Sequence, residues 1–141
     1  IITLTDDSSQ AFGRVAGQLV NRPGHCADLR AGKARQMINL PGVHAASGEI
    51  RIRVYAASVN PTDLSVRNGA RAEALRQVAP PYVPGMDAAG VIDEIGPGTE
   101  TDLTVGTPVM AMVVPLGNHG AYRESIVLSI DSVTRAPEGL I

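Results

Sequence analysis

Polar and apolar residues alternate over 49–56, Glu-Ile-Arg-Ile-Arg-Val-Tyr-Ala, for four periods. A period of two puts Ile50, Ile52, Val54 and Ala56 on one face, which predicts a half-buried strand. A different period runs upstream. Ala11, Phe12, Val15, Ala16, Leu19 and Val20 recur at helical spacing after Ser8 and Ser9, either of which can cap a helix. Asn21-Arg22-Pro23-Gly24 stops that pattern. A short strand is expected at 1–4 and another at 37–40, with a turn at Pro41-Gly42; residues 26–33 are ambiguous.

Downstream of the alternating strand, Asn60-Pro61-Thr62-Asp63 starts a helix: Asn at the N-cap, Pro at the first helical position, an acid at the third. That helix should be short and end near Asn68-Gly69. Residues 71–78 suit one or two helical turns before Pro80-Pro81. Strands are expected at 88–95, 108–114, 121–128 and 132–135. Gly96-Pro97-Gly98 turns the chain, and 116–120 is a loop.

These strands are not interleaved with long helices, so a parallel Rossmann sheet is not expected. The expected fold class is mainly β with short helices, a partly open β-barrel. The 15 glycines and 10 prolines supply the turns that many short strands need. A length of 141 residues suits one domain with its own core. Residues 1–48 are expected to form a divergent N-terminal segment with a helix, packed on the domain formed by 49–141.

The charge and aromatic content exclude several functions. A net charge of −2 offers no electrostatic footprint for nucleic acid or anionic membrane. One phenylalanine, three tyrosines and no tryptophan do not build a stacking platform for single strands. No apolar run is long enough to span a bilayer. Cys26 is the one cysteine, so neither an internal disulfide nor a multi-cysteine zinc site can form. His25, His44 and His119 are scattered without ligand spacing, so no metal is expected. Cys26 has only His25 beside it as an activating neighbour, which makes a poor catalytic thiol. The lone cysteine and the lack of a signal peptide make the cytoplasm the expected location.

Several motifs resemble one family in order and spacing. Glu49-Ile50-Arg51-Ile52-Arg53-Val54 resembles a "GE-V-x-V-R-V" strand. Ala57-Ser58-Val59-Asn60-Pro61-Thr62-Asp63 resembles a "G-V-N-P-x-D" turn. Val83-Pro84-Gly85-Met86-Asp87-Ala88-Ala89-Gly90-Val91-Ile92 resembles "P-G-x-D-x-A-G-V-V", and Gly120-Ala121-Tyr122-Arg123-Glu124 resembles "G-A-Y-A-E-Y". Arg135-Ala136-Pro137-Glu138-Gly139-Leu140 resembles the stretch that precedes a nucleotide domain. Residues 49–140 thus resemble the N-terminal GroES-like catalytic domain of the medium-chain dehydrogenase/reductases. The branch they resemble is the zinc-free, zeta-crystallin-like quinone oxidoreductases.

The resemblance implies the substrate-side domain of an NADPH-dependent quinone, enone or enoyl reductase. The substrate would be a small apolar molecule with a carbonyl. It implies no metal, because Asn60 stands where zinc-dependent members carry a cysteine. It also implies that the nucleotide grip lies elsewhere, in a Rossmann domain, since the chain has no Gly-x-Gly-x-x-Gly. The near match Gly13-Arg14-Val15-Ala16-Gly17 falls inside the expected helix. The partners this reading allows are a Rossmann domain or a second copy of the chain.

Asn60 is the leading candidate, as an amide that steadies developing negative charge on a carbonyl oxygen; the plain structural reading is a helix cap. Asp63 and Tyr122 join it as candidate catalytic residues, with a dipole-complementing acid and a core aromatic as the structural alternatives. Ser65, Arg71 and His119 are candidates for binding substrate, Arg71 through a carboxylate or phosphate and His119 as a proton donor. Asp87 is a candidate for positioning the turn around Asn60. The alternative function is a stand-alone GroES-like domain without redox chemistry. It would bind a small apolar ligand or act as a cofactor-free cyclase or isomerase, and a purely structural dimerisation module is a third reading.

Overall fold

The computed structural model describes residues 2–3, 40–79 and 81–139. The helix expected within 8–20, the ambiguous 26–33 and most of the strand expected at 37–40 lie outside the described residues. Leu40 itself is in irregular chain, and the turn expected at Pro41-Gly42 falls instead at Ser47–Gly48.

The alternating segment forms β2 (Glu49–Ala57). Its apolar face supplies Ile50, Ile52 and Val54, all essentially without exposure. β1 (Ile2–Thr3) pairs antiparallel with the far end of β2, at Ala57 and Ala56. β3 (Asp87–Ile95) runs antiparallel along the whole of β2. β4 (Pro108–Met112) pairs with β3, and β6 (Val133–Arg135) with β4. β5 (Ser125–Ser129) returns to the open side of β2, beside Glu49 to Arg53. A single 3-10 turn (Ile130–Ser132) leads from β5 into β6, so the two ends of the sheet are joined covalently. The result is a partly open barrel of antiparallel strands around one core. Val83, Leu103, Val109, Val113, Ile126 and Leu128 fill that core beside the β2 residues.

Two irregularities in the β2–β3 ladder shape its ends. Val54 pairs with Gly90 but Ala56 pairs with Ala89, so Tyr55 is the extra residue of a bulge in β2. The bulge reverses the facing of the end of the strand: Ala57, not Ala56, is buried. Arg51 pairs with Glu94 but Ile52 with Ile92, so Asp93 is the extra residue in β3. Gly90 has no room for a side chain, because a Cβ there would collide with the Arg53 carbonyl.

The strands expected at 108–114 and 121–128 are shorter than the hydrophobic pattern suggests. β4 ends at Met112, although the next amide, Val113, still donates to Met86, the partner that the ladder's register gives it, at 2.7 Å. Ala121 and Tyr122 are not in β5. Their amides donate to the Gly85 and Pro84 carbonyls at 3.1 and 3.0 Å, which ties this bend to the segment before β3.

Candidate functional site

The chain leaves β2 at Ala57 and enters α1 (Pro61–Arg67) three residues later. Asn60 is the N-cap, with extended backbone (φ −106°, ψ 159°), and Pro61 stands at the first helical position, where its missing N–H costs nothing. Asp63 reaches back and accepts the Asn60 backbone N–H at 2.7 Å, one half of a capping-box arrangement. The Asp63 N–H donates to the Asn60 carbonyl at 3.0 Å.

Asp63 is 5% exposed, and its carboxylate is occupied on several sides. Besides the Asn60 N–H it accepts the Gly85 N–H at 2.8 Å and the Tyr122 hydroxyl at 3.3 Å. Tyr122 also donates to the Ser58 carbonyl at 2.9 Å. Burial, and then the charge of Asp63 and the bond to it, push the Tyr122 hydroxyl far above the ordinary tyrosine range. Gly85 is required at its position: φ is +107°, and a Cβ would lie 2.9 Å from Ala121 and from the Tyr122 ring. Asp63, Gly85 and Tyr122 therefore weld three segments together beneath Asn60.

Above that weld lies a second polar cluster that faces solvent. Asn60 Nδ2 donates to Asp87 Oδ2 at 2.7 Å and to Ser58 Oγ at 2.9 Å. Ser58 Oγ donates to the same Asp87 oxygen at 2.5 Å. Asp87 is exposed, while Asn60 and Ser58 are half-buried. Exposed apolar side chains stand around them. Val59 adjoins Asn60 in sequence, and Met112 is the ladder partner of Asp87. Met110, Met112, Val114 and Leu116 alternate outward from β4 onward, at 37% to 75% exposure, while Val109, Ala111 and Val113 point into the core.

The residues expected to form the site divide into two groups. Asn60, Asp63, Asp87 and Tyr122 come together, Asn60 and Asp87 at the surface and the other two beneath. Ser65, Arg71 and His119 do not join the cluster through any hydrogen bond among the described residues. The Ser65 hydroxyl turns back to the Pro61 carbonyl at 2.9 Å, within its own helix. Arg71 is exposed, and its backbone N–H bonds the Ser65 carbonyl at 3.3 Å. His119 Nε2 donates to the Val127 carbonyl at 2.9 Å, which ties the ring to β5. Ser58 and the outward apolar row are not among the residues that the sequence singles out. Nothing local marks Ser58, but residues 108–116 carry apolar side chains on both faces, a pattern that signals an outer face with a use.

No three of His, Cys, Asp or Glu gather into a metal-sized group among the described residues. No helix among them is long and apolar enough to cross a membrane.

Comparison with known proteins gives this geometry a family. The alcohol dehydrogenase GroES-like domain family matches residues 46–138, about two thirds of the chain. The chain is 37% identical over 93 residues to a 2-haloacrylate reductase of Burkholderia sp, covering 66% of this chain and 26% of that protein. It is 40% identical over 88 residues to a quinone oxidoreductase of Rattus norvegicus, covering 62% and 24%. The solved quinone oxidoreductase of Coxiella burnetii superposes with a TM-score of 0.66 at 27% identity, covering 78% of this chain and 35% of that one. The chain spans about a quarter of the length of the curated relatives it matches. It belongs to the alcohol dehydrogenase GroES-like domain family, in the quinone oxidoreductase branch of the medium-chain dehydrogenase/reductases.

Proposed function

We propose that the chain is the substrate-side domain of a nicotinamide-dependent reductase acting on small apolar quinones, enones or enoyl compounds. One observation carries this reading: the solvent-facing Ser58–Asn60–Asp87 cluster lies beside exposed Met112, the ladder partner of Asp87 and a member of the outward apolar row. An apolar wall with a few convergent polar groups is the make-up of a small-molecule site. Two of the relatives that share this domain are named as a reductase and an oxidoreductase.

Asn60 and Asp87 are the groups proposed to meet the ligand. Asp63 and Tyr122 act through them: both are buried, and their polar atoms hold the turn in place. Ser65, Arg71 and His119 would serve only at the margin of the site. NADPH is the proposed cofactor, bound mainly by residues outside the described ones. The described residues do not fit its pyrophosphate, since α1 has seven residues, begins with proline and carries Asp63 in its first turn. Hydride transfer would be the cofactor's chemistry; this domain would orient the acceptor and shield it from water.

The test is NADPH binding and turnover. The chain has no tryptophan, so NADPH fluorescence can be read against a low background. This chain alone should bind NADPH weakly. The full-length product of the gene, where it extends further, should oxidise NADPH with a quinone or cyclic enone. Tight NADPH binding by this chain, or no turnover with either acceptor class by the full-length product, would sink the reading. The same apolar rim supports a second reading, a ligand-binding domain without redox chemistry, and the turnover measurement decides between them.

A further inference from the structure

We propose that Arg123 receives the carboxylate of a small organic acid, with the acid's apolar body against Leu116, outside the hydrogen-bonded Ser58–Asn60–Asp87 cluster. In the ion pairs among the described residues the cations are Arg51, Arg76, Arg135 and His44. Arg53, Arg67 and Arg71 pair with no acid among the described residues, but they are exposed and water serves them. Arg123 differs: it is half-buried, and it too pairs with no acid among the described residues. Its Nη1 donates to the Asn118 carbonyl at 3.2 Å. A guanidinium has further N–H donors, and none of them reaches an acceptor among the described residues. Burial lowers its pKa but does not neutralise it, since arginine keeps its charge in proteins. A cation drawn out of water without a counter-charge is costly, and a bound anion offsets that cost.

The backbone around Arg123 is fixed on both sides. Residues 116–119 form a turn closed by the His119 N–H on the Leu116 carbonyl at 3.0 Å, with Gly117 at φ +61°. The Gly117 carbonyl takes the Val83 N–H at 2.8 Å, and the His119 ring bonds the Val127 carbonyl. Ala121 and Tyr122 are tied to Gly85 and Pro84. The carbonyl that orients the guanidinium and the bend that carries it are therefore set before any ligand arrives. Leu116 stands in the same turn as Asn118, and at 63% exposure it offers apolar surface. The donors decide the kind of anion. The amides of His119, Ala121, Tyr122 and Arg123 are all spent on carbonyls, so they build no nest of N–H groups for a phosphate. What remains is one guanidinium fork, which matches the two oxygens of a carboxylate. Arginine also stands where the "G-A-Y-A-E-Y" pattern has alanine, so the site belongs to this chain and not to the pattern.

Butyrate and butyramide make the test, because they share an apolar chain and differ in charge. The 15N-labelled chain is titrated with each at constant ionic strength. The signals followed are the Arg123 Nε–H and the backbone amides of Asn118 and Arg123. Butyrate should bind about tenfold more tightly, the factor that one hydrogen bond to a charged group supplies. Arg123→Gln should abolish that preference. Arg123→Lys keeps the charge but loses the fork and should retain only part of it, while Arg53→Gln should leave it unchanged. Equal affinities, no shift of these signals by butyrate, or a preference that survives Arg123→Gln would each overturn the proposal. Inorganic phosphate that moves the same signals at lower concentration than butyrate would overturn the assignment to a carboxylate. If Arg123→Gln does not fold, the wild-type ratio alone decides. The outcome is separable from the reductase reading: that reading falls on lost NADPH turnover, this one on the ratio.

Discussion

At one end of the β2–β3 pair, Asp93 and Glu94 share the guanidinium of Arg51; at the other, Asp63 and Asp87 meet no cation among the described residues. The first end is assembled by the Asp93 bulge, which brings two successive acids to one arginine. Arg51 Nε donates to Asp93 at 2.7 Å, and its Nη1 lies 2.6 Å from Glu94 and 2.9 Å from the Val43 carbonyl. His44 adds a contact to Glu94 at 3.2 Å. These carboxylates are neutralised where they stand, and the cluster pins residues 43–44 to the sheet. The second end uses neutral donors only: backbone N–H groups and a tyrosine for Asp63, a serine and an asparagine for Asp87. A carboxylate held by neutral donors keeps its negative charge available to a ligand. The same ladder thus carries a structural cluster at one end and a candidate site at the other.

The sharpest way to break this contrast is to remove the buried acid. Asp63→Ala leaves the Gly85 and Asn60 N–H groups without their acceptor in a site 5% exposed, while the Tyr122 hydroxyl keeps the Ser58 carbonyl. A loss of about 3 to 4 kcal/mol in urea unfolding is expected, two unsatisfied donors at the usual penalty. Asp63→Asn should recover part of it. A loss below about 1 kcal/mol would mean that Asp63 is not the keystone of the turn.

Tyr122→Phe keeps the ring and removes the hydroxyl that joins Ser58 to Asp63. It should cost about 1.5 kcal/mol, one hydrogen bond to a charged group. It also carries a pH signature. The folded-state hydroxyl titrates far above the unfolded tyrosine, whose pKa is near 10. Above about pH 10 the unfolded chain releases this proton first, so Tyr122 contributes its full share below that pH and loses it as pH rises. Wild-type stability should fall as alkali is added, and the Tyr122→Phe variant should fall less steeply. Parallel curves would show that the hydroxyl is not held as described.

Arg51→Met tests the opposite end. It strips Asp93 and Glu94 of their cation but leaves both acids about one quarter exposed, at 23% and 26%. Water can then take over much of the pairing, so the expected loss is about 1 kcal/mol, shrinking in high salt. A loss as large as that of Asp63→Ala would erase the distinction between the two ends.

The range of each interaction decides how much of the molecule was legible in the sequence. The β2 strand, α1 and its Asn60-Pro61 start were readable because period-two alternation and cap chemistry are local. The meeting of Asn60 with Asp87 was expected only through the family resemblance, and that of Asp63 with Gly85 and Tyr122 was not expected, since these pairs lie 22 to 59 residues apart. The extension of β5 back to Ala121 failed for a physical reason: an apolar run does not reveal that its amides are claimed by Pro84 and Gly85. The switch of facing at Ala57 also escaped, because a bulge at Tyr55 is set by pairing with β3 and not by composition. Ser65 and Arg71 were chosen by their place in the family pattern and His119 by its glycine-flanked loop; the Ser65 hydroxyl and the His119 ring bond backbone carbonyls.

The smallest stability effect is the one that bears most on function. Asp87→Ala removes an exposed carboxylate whose two donors, Ser58 and Asn60, can turn to water. Its cost to folding should stay within about 0.5 kcal/mol, the range for surface changes. If the cluster serves a ligand, the same variant in the full-length product should lose about tenfold to hundredfold in kcat/KM, the equivalent of one charged hydrogen bond. Stability that holds while turnover falls is what a residue kept for a ligand predicts. A melting curve that drops by as much as that of Arg51→Met would instead assign Asp87 to the frame. Both ends of the β2–β3 pair would then be structural, and the candidate site would move to the outward row from Met110 to Leu116.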